Sequence, residues 1–217
     1  MKIEMGRREV VFYTAVFVFV LVMLLNDQSI FWIIGPVLIA TLIAYTIHEF
    51  YPMACENRMD RVENFLRRNQ YRPYIYICYV IANRLDDEVE ITMEKLRNNS
   101  TKKSMQAIYQ AAYGVYRMDI LSVRQAVPKM RRSDYRTYYE TFLLIEEGMS
   151  EQAREHLKSI KRRWMQSALL AEIERKLGHR EMAIKHAEEA VNATNGVQRY
   201  MLVKEYERYY AEEKHVQ

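Results

Sequence analysis

The chain has 217 residues, of which 50% are hydrophobic, and its 32 basic and 28 acidic residues give a net charge of +4. Two cysteines are too few for a disulfide framework, so the composition excludes the small disulfide-stabilised secreted folds. The chain also lacks clustered glycines, because its six glycines are scattered, and this excludes a glycine-rich phosphate loop.

Two apolar runs open the chain, Val10–Leu25 and Ile30–Ile47, and neither contains Lys, Arg, Asp or Glu. A membrane-spanning helix needs about 20 residues, with a lower limit near 17. The Val, Leu and Phe side chains of the first run favour insertion by about 4–7 kcal/mol. We therefore predict an N-terminal two-helix transmembrane hairpin over residues 1–52, with spans at about 10–26 and 30–50. Because proline suits the start of a helix, we expect the second span to begin near Pro36.

The charges that flank these runs predict the orientation of the hairpin. Lys2, Arg7 and Arg8 precede the first run, the short turn between the runs has no basic residue, and several arginines follow from Arg58. Basic residues favour the cytoplasmic side, so both termini are expected in the cytoplasm of a cell with an inner membrane. Two other interpretations of the runs stay open, a cleaved signal peptide and a soluble core hairpin.

Residues 53–217 show helical spacing of apolar residues and almost no alternation typical of strands. We predict an all-α cytoplasmic domain built from short helices in pairs, closed by a C-terminal capping helix with one solvent-facing side. The expected helices are Arg61–Asn69 paired with Tyr74–Leu85, then Glu88–Asn98, Lys103–Tyr116 with Ile120–Met130, Tyr135–Glu147 with Ser150–Ile160, Trp164–Leu177 with Arg180–Ala193, and finally Val197–Glu213.

The last two pairs repeat in register. Gly148 and Gly178 each end a helix, where glycine can take the left-handed conformation, and Ala153 and Ala183 follow five residues later. With Ala190 seven residues further on, this pattern resembles the tetratricopeptide-repeat superfamily. The resemblance implies an α-solenoid in which each helix pair completes its core against its neighbours. The period here is shorter than usual and Asn195 stands where the motif has proline, so a generic α-solenoid or a helical bundle stays open.

No catalytic or metal-binding pattern is present in the sequence, and we expect neither enzyme activity nor a cofactor. His179 and His186 lie two helical turns apart, too far for a shared metal ion. His48 and Glu49 end the second apolar run, where contact with lipid headgroups suffices to explain them. Glu146 and Glu147 gain nothing from the helix dipole at a helix end, so we expect them to face basic neighbours.

Tyrosine is unusually frequent, with 17 copies. Amphipathic packing explains such stripes if the rings lie in the core. The resemblance implies a second use, because the first helices of successive repeats line a groove that holds a peptide. We predict a partner-binding site there, provided that the tail helix does not fill the groove, with an acidic peptide segment as a possible ligand. Its residues are Tyr109, Tyr113, Tyr116, Arg117 and Tyr138.

Together these features predict a membrane-anchored scaffold or adaptor that binds a partner protein. The alternative is an accessory subunit of an integral-membrane complex, serving transport, secretion or envelope assembly, that uses the hairpin as its interface. Basic residues are concentrated between Arg97 and Arg136 and again at Lys161–Arg163, either as a solvated face or as a surface for anionic lipid. Nucleic-acid binding is not expected, because no nucleic-acid motif accompanies these charges.

Overall fold

The computed structural model describes residues 7–26, 29–98 and 103–214, which form helices joined by short loops, with no strand among them. The chain divides into two compact units between Tyr51 and Pro52. The all-α prediction is confirmed for the described residues.

The first unit contains the two apolar runs. Helix α1 covers Arg7–Leu25. Helix α2 covers Ile30–Tyr45 and continues through a π-helical turn, Thr46–Phe50, into the short helix α3, Tyr51–Ala54. Among the described residues, this continuous helix from Ile30 to Ala54 is the one long and apolar enough to cross a membrane, with a mean hydropathy of 2.2 and only 6% of its apolar window buried.

The second apolar helix begins earlier than we expected. It starts at Ile30 and runs through Pro36 rather than starting there. A proline ring normally clashes with the Cβ of the residue before it, but Gly35 has no Cβ, so the helix can pass this point. Its hydroxyl groups are satisfied within the helix, because Thr41 Oγ1 and Thr46 Oγ1 each donate to a carbonyl one turn earlier at 2.8 Å. Such internal pairing suits a lipid environment.

The second unit consists of ten further α-helices within the described residues, and their bounds follow the predicted ones within a few residues. They are α4 Met59–Arg68, α5 Pro73–Ala82, α6 Asp86–Asn98, α7 Lys103–Tyr116, α8 Ile120–Ala126 with a 3-10 turn Val127–Lys129, α9 Asp134–Glu146, α10 Ser150–Leu157, α11 Arg163–Lys176, α12 Arg180–Asn192 and α13 Gly196–Lys214.

The helices pair differently from our prediction at the start of this unit. Four helical hairpins follow one another: α5–α6, α7–α8, α9–α10 and α11–α12. We expected α4 to pair with α5 as the first repeat. Instead α4 packs its buried residues Val62, Phe65 and Leu66 against both α5 and Tyr200 of α13. Helix α4 therefore lies outside the hairpin series.

The four hairpins share one joint geometry. A residue in the left-handed region ends the first helix of each hairpin: Arg84 (φ 53), Met118 (φ 55), Gly148 (φ 77) and Gly178 (φ 79). The next residue donates its N–H to the carbonyl five positions earlier at 2.8–3.0 Å in all four joints, which is the 6→1 bond of a Schellman motif. The joint therefore recurs every 30 to 34 residues.

The core repeats with the same period. Five residues after each joint a small or β-branched side chain is buried, namely Val89, Val123, Ala153 and Ala183. Twelve residues after each joint another apolar side chain is buried, namely Leu96, Met130, Ile160 and Ala190. In the first and last hairpins the two positions lie two turns apart on one helix and therefore on one face. In the second and third hairpins, Met130 and Ile160 follow the end of the second helix. The repeat in structure thus extends over four hairpins.

The C-terminal helix α13 is more enclosed than a terminal cap. It packs against α4, α5 and α12. Among residues 201–209 every side chain is partly buried except that of Glu207, whereas a capping helix would expose one whole face. The helix begins at Gly196, whose N–H donates to the carbonyl of Glu56 at 2.8 Å. The end of the chain therefore folds back on the beginning of this unit.

Candidate functional site

The predicted partner-binding residues lie on two successive first helices. Tyr109, Tyr113 and Tyr116 are on α7, Arg117 follows α7 at the joint, and Tyr138 is on α9. Their packing differs from residue to residue. The side chains therefore differ in whether a partner could reach them.

Tyr113 and Tyr116 direct their hydroxyl groups at the acidic start of α6. Tyr113 donates to Glu90, and the buried Tyr116 donates to Asp86. Burial, followed by the bond to Asp86, raises the pKa of Tyr116 to about 12. Burial, followed by the bond to Glu90, raises the pKa of Tyr113. Both hydroxyls therefore stay protonated and serve as links between neighbouring hairpins.

Tyr109 and Tyr138 pack their rings against the core. Tyr109 is half-buried against the cluster that contains Ile77 and Val80, and burial raises its pKa to about 12. Tyr138 is half-buried, with its ring centroid 5.4 Å from that of Tyr139 in an edge-to-face contact. These two rings mainly supply packing area.

Tail helix α13 lies close to Tyr138. Burial raises the pKa of Tyr138, and the carboxylates of Glu172 and Glu205 raise it further. On the same side, the guanidinium of Arg175 in α11 lies 5.3 Å from the ring centroid of Tyr209 in α13. The side chain of Arg208 donates to the carbonyl of Ala82 at the end of α5 at 2.6 Å. Helix α13 thus lies against the first helices of the first and last hairpins, where an open groove had been predicted.

The accessible part of the predicted site is at the joint of the second hairpin. The side chain of Arg117 is exposed. Directly after it, Met118 is 79% exposed and Leu121 is 64% exposed. Exposed apolar side chains continue at the other joints, with Met149 after Gly148 and Leu177 before Gly178.

We call this side of the unit, where the four joints lie, the joint edge. Its charges are mixed, because Asp86 and Glu90 lie beside Tyr113 and Tyr116. A preference for an acidic peptide therefore depends on Arg117 alone among the predicted residues, and it stays a prediction. The apolar side chains offer contact area of the kind that methionine-rich binding surfaces use.

Ion pairs connect successive hairpins. Glu174 is buried, and its carboxylate lies 2.6 Å from Arg154 Nη2 and 2.8 Å from His179 Nδ1. The bond from Arg154, with a further contribution from His179, lowers the pKa of Glu174. This carboxylate therefore joins α10, α11 and the start of α12.

The two glutamates at the end of α9 also have basic neighbours, as we predicted. Glu146 lies 2.9 Å from Lys176 Nζ, and Glu147 lies 2.6 Å from Arg124 Nη2. Each pair joins α9 to a different hairpin. The prediction from the helix dipole is confirmed at both positions.

The histidine and cysteine side chains are the ones that could bind a metal ion or take part in catalysis. Among the described residues, no group of three or more His, Cys, Asp or Glu side chains could hold a metal ion. His186 Nδ1 lies 2.9 Å from Glu189, and burial raises the pKa of the Cys78 thiol to about 11. Cys55 is exposed. The buried Thr141 hydroxyl lies 2.8 Å from His156 Nδ1, and it also donates to the Thr137 carbonyl at 2.8 Å, as a threonine packed within a helix does.

Two of the four joints could not be found by searching for glycine. Arg84 and Met118 occupy the left-handed position with ordinary side chains. The sequence still contains one signal for these two joints, which is the apolar residue five positions later, Val89 or Val123, and both are buried. This signal was not used in the prediction, because alanine was the residue expected at that position. The contacts of α13 have no local sequence signal at all.

Comparison of the chain with protein-family models, with curated proteins and with solved structures found no match.

Proposed function

We propose that this protein is a membrane-anchored adaptor that holds a partner protein at the membrane. The anchor in this proposal is a two-span hairpin, formed by α1 and the helix from Ile30 to Ala54, in an inner membrane with both termini in the cytoplasm. The cytoplasmic part is a tetratricopeptide-like solenoid. The observation that carries the proposal is the series of four hairpins with one repeated joint, attached directly to an exposed apolar helix.

Repeat arrays of this kind are suited to binding because they present a long surface built from equivalent positions. The anchor adds a second effect, since tethering raises the concentration of a bound partner near membrane targets without any new contact. Binding alone is the mechanism of this proposal, and it requires no cofactor.

The joint edge is the surface that we assign to the partner. Tyr113 and Arg117 belong to the predicted site, and the exposed Met118 and Leu121 lie next to them. An amphipathic segment could place apolar side chains on Met118 and Leu121 and an acidic group near Arg117. Tyr109, Tyr116 and Tyr138 support this surface from beneath rather than touching the partner.

A photo-crosslinking amino acid at Leu121 tests this assignment in intact cells. We expect one discrete crosslinked partner, and we expect the double variant Tyr113→Ala/Arg117→Ala to lose it. The control variant Lys129→Ala/Arg132→Ala changes exposed basic residues elsewhere and should keep the crosslink. Retention of the crosslink in the Tyr113/Arg117 variant, with an unchanged helical signal, would show that the partner does not use this site.

One observation favours the alternative function, an accessory subunit of an integral-membrane complex. A Cβ built on Gly35 would meet no atom within 4 Å, and small residues of this kind permit close packing between membrane helices. Replacing the apolar hairpin with an unrelated two-span anchor separates the two functions. An adaptor would still recruit its partner, whereas an accessory subunit would lose its complex.

A further inference from the structure

Two of the loops that connect one hairpin to the next, 130–133 and 158–162, lie on the opposite side of the second unit from the joints. We call this side the loop edge. The two loops are adjacent, because the N–H of Arg162 donates to the carboxylate of Asp134 at 3.2 Å. Six basic residues lie in or next to them: Lys129, Arg131, Arg132, Lys161, Arg162 and Arg163.

These six side chains are exposed and have little opposing charge. In the part of the chain that the structure describes, none of them lies within ion-pair distance of a carboxylate, although the structure pairs many other arginines and lysines. The one acidic side chain between the two loops, Asp134, is engaged by a backbone N–H. The loop edge therefore carries a concentrated positive field.

The joint edge has a different character, because its charges are mixed. Three of its four second helices, α6, α10 and α12, have acidic residues in their first turns, which suit the positive end of the helix dipole. Arginines and a lysine lie beside them, namely Arg84, Arg117, Lys176 and Arg180. The concentrated, unpaired positive charge is therefore found on the loop edge.

The chain enters this unit on the basic side. Helix α13 starts on the loop edge, directly after the loop that follows α12, and there Gly196 donates to Glu56. It ends near the joint edge, where Tyr209 lies beside Arg175 at the end of α11. Met53 and Glu56, at the start of this unit, therefore lie on the loop edge.

We propose that the loop edge docks onto anionic phospholipid headgroups of the membrane that holds the apolar helix. The tether keeps the edge near that surface, and each basic side chain at the surface favours docking about fivefold at low salt. The joint edge would then point away from the lipid and stay open to a partner. This inference depends on the membrane anchor of the proposed function.

The test uses the full-length protein in nanodiscs of phosphatidylcholine alone or mixed with phosphatidylglycerol. Trypsin cleavage, followed by mass spectrometry, reports both edges in one sample. We expect cleavage after Lys161 and Arg163 to slow about fivefold or more in the anionic discs and to recover at high salt. Cleavage after Arg117 and Lys176, on the joint edge, should change little.

Two matched double variants complete the test. Arg131→Gln/Arg132→Gln should remove most of the protection at Lys161–Arg163, whereas Arg117→Gln/Arg180→Gln, which removes the same charge from the joint edge, should leave it intact. Equal cleavage in both kinds of disc would show that the loop edge does not dock onto anionic lipid, and it would leave the proposed membrane anchor unaffected. If added RNA slowed trypsin cleavage at Lys161–Arg163 in neutral discs while anionic lipid did not, the loop edge would bind nucleic acid, and this result would also overturn the proposal of lipid docking. Failure to enter either nanodisc would overturn the anchor and this inference together.

Discussion

Gly196 and Met53 meet so closely that a Cβ on Gly196 would lie 2.2 Å from the carbonyl oxygen of Met53. Gly196 also has φ of 59°, in the left-handed region. Two independent constraints therefore require glycine at the point where the tail helix meets the beginning of the second unit. This contact joins residues that are far apart in the sequence and closes the helical unit on itself.

Gly196→Ala should accordingly lower the stability of the second unit by about 2–4 kcal/mol, because a backbone carbonyl cannot move aside as a flexible side chain could. Gly148→Ala is the matched control, since Gly148 has φ of 77° but no atom within 4 Å of an added Cβ. It should cost only about 1 kcal/mol for the left-handed backbone. Urea unfolding in detergent, followed by circular dichroism, measures both variants, and equal losses would contradict the close contact.

Met118→Gly should make the protein more stable. Met118 holds φ of 55° with a side chain that is 79% exposed, so it bears the left-handed strain without a compensating burial. Glycine relieves that strain, but it also has more conformational freedom to lose when the chain folds. The net result is a gain of about 0.5–1 kcal/mol in the free energy of unfolding.

Arg84→Gly should not bring this gain although φ is 53° there. The guanidinium of Arg84 lies 4.8 Å from the ring centroid of Tyr116 and donates to the Tyr116 carbonyl at 3.1 Å. Losing these contacts costs about 1 kcal/mol, enough to cancel the relief of strain. If urea midpoints rose equally for both variants, the contact between Arg84 and Tyr116 would have no energetic value.

The same joints show how much of this fold could be predicted from the sequence. Helix positions were predictable because apolar spacing and glycine act locally, and Gly148 and Gly178 indicate two joints correctly. The helix boundaries beside Arg84 and Met118 were also predicted, but their left-handed conformation was not, because a non-glycine residue in the left-handed region leaves no mark in composition. The partner of α4 could not be predicted either, since its contact with Tyr200 depends on how the whole array curves. Similarly, the tyrosines of α7 could be placed on one helix face, but their bonds to Asp86 and Glu90 depend on the neighbouring hairpin.

The buried carboxylate of Glu174 should make stability depend on pH. Its pKa is lowered in the folded state below the ordinary value of 4.5 by Arg154 and then His179. A lowered pKa stabilises the fold above about pH 4.5, and that stabilisation is lost as the pH falls through the folded-state pKa.

Glu174→Gln should therefore lower stability by about 1–3 kcal/mol at pH 7 and weaken the acid dependence. Glu155→Gln is a matched control, because Glu155 forms an exposed pair with Lys158 and should cost less than about 1 kcal/mol. Urea midpoints measured between pH 7 and pH 3.5 compare the two. A steep acid dependence that survives in Glu174→Gln would place its origin at another carboxylate.

Tail helix α13 should be essential to the second unit and not an appended cap. Tyr200 has 0% exposure, packs with Val62 and Phe65 of α4, and its hydroxyl accepts a bond from Asn83 at 2.8 Å. Tyr200→Ala should cost about 3–5 kcal/mol through the cavity it leaves, and Tyr200→Phe about 1 kcal/mol through the lost bond from Asn83, which keeps its bond to the Tyr79 carbonyl. Glu207→Ala, in the same helix but exposed, should change stability by less than about 0.5 kcal/mol. Hydrogen exchange locates the effect: Tyr200→Ala should speed exchange in α4 and α5 as well as in α13, and faster exchange confined to α13 would mean that the helix is only a cap.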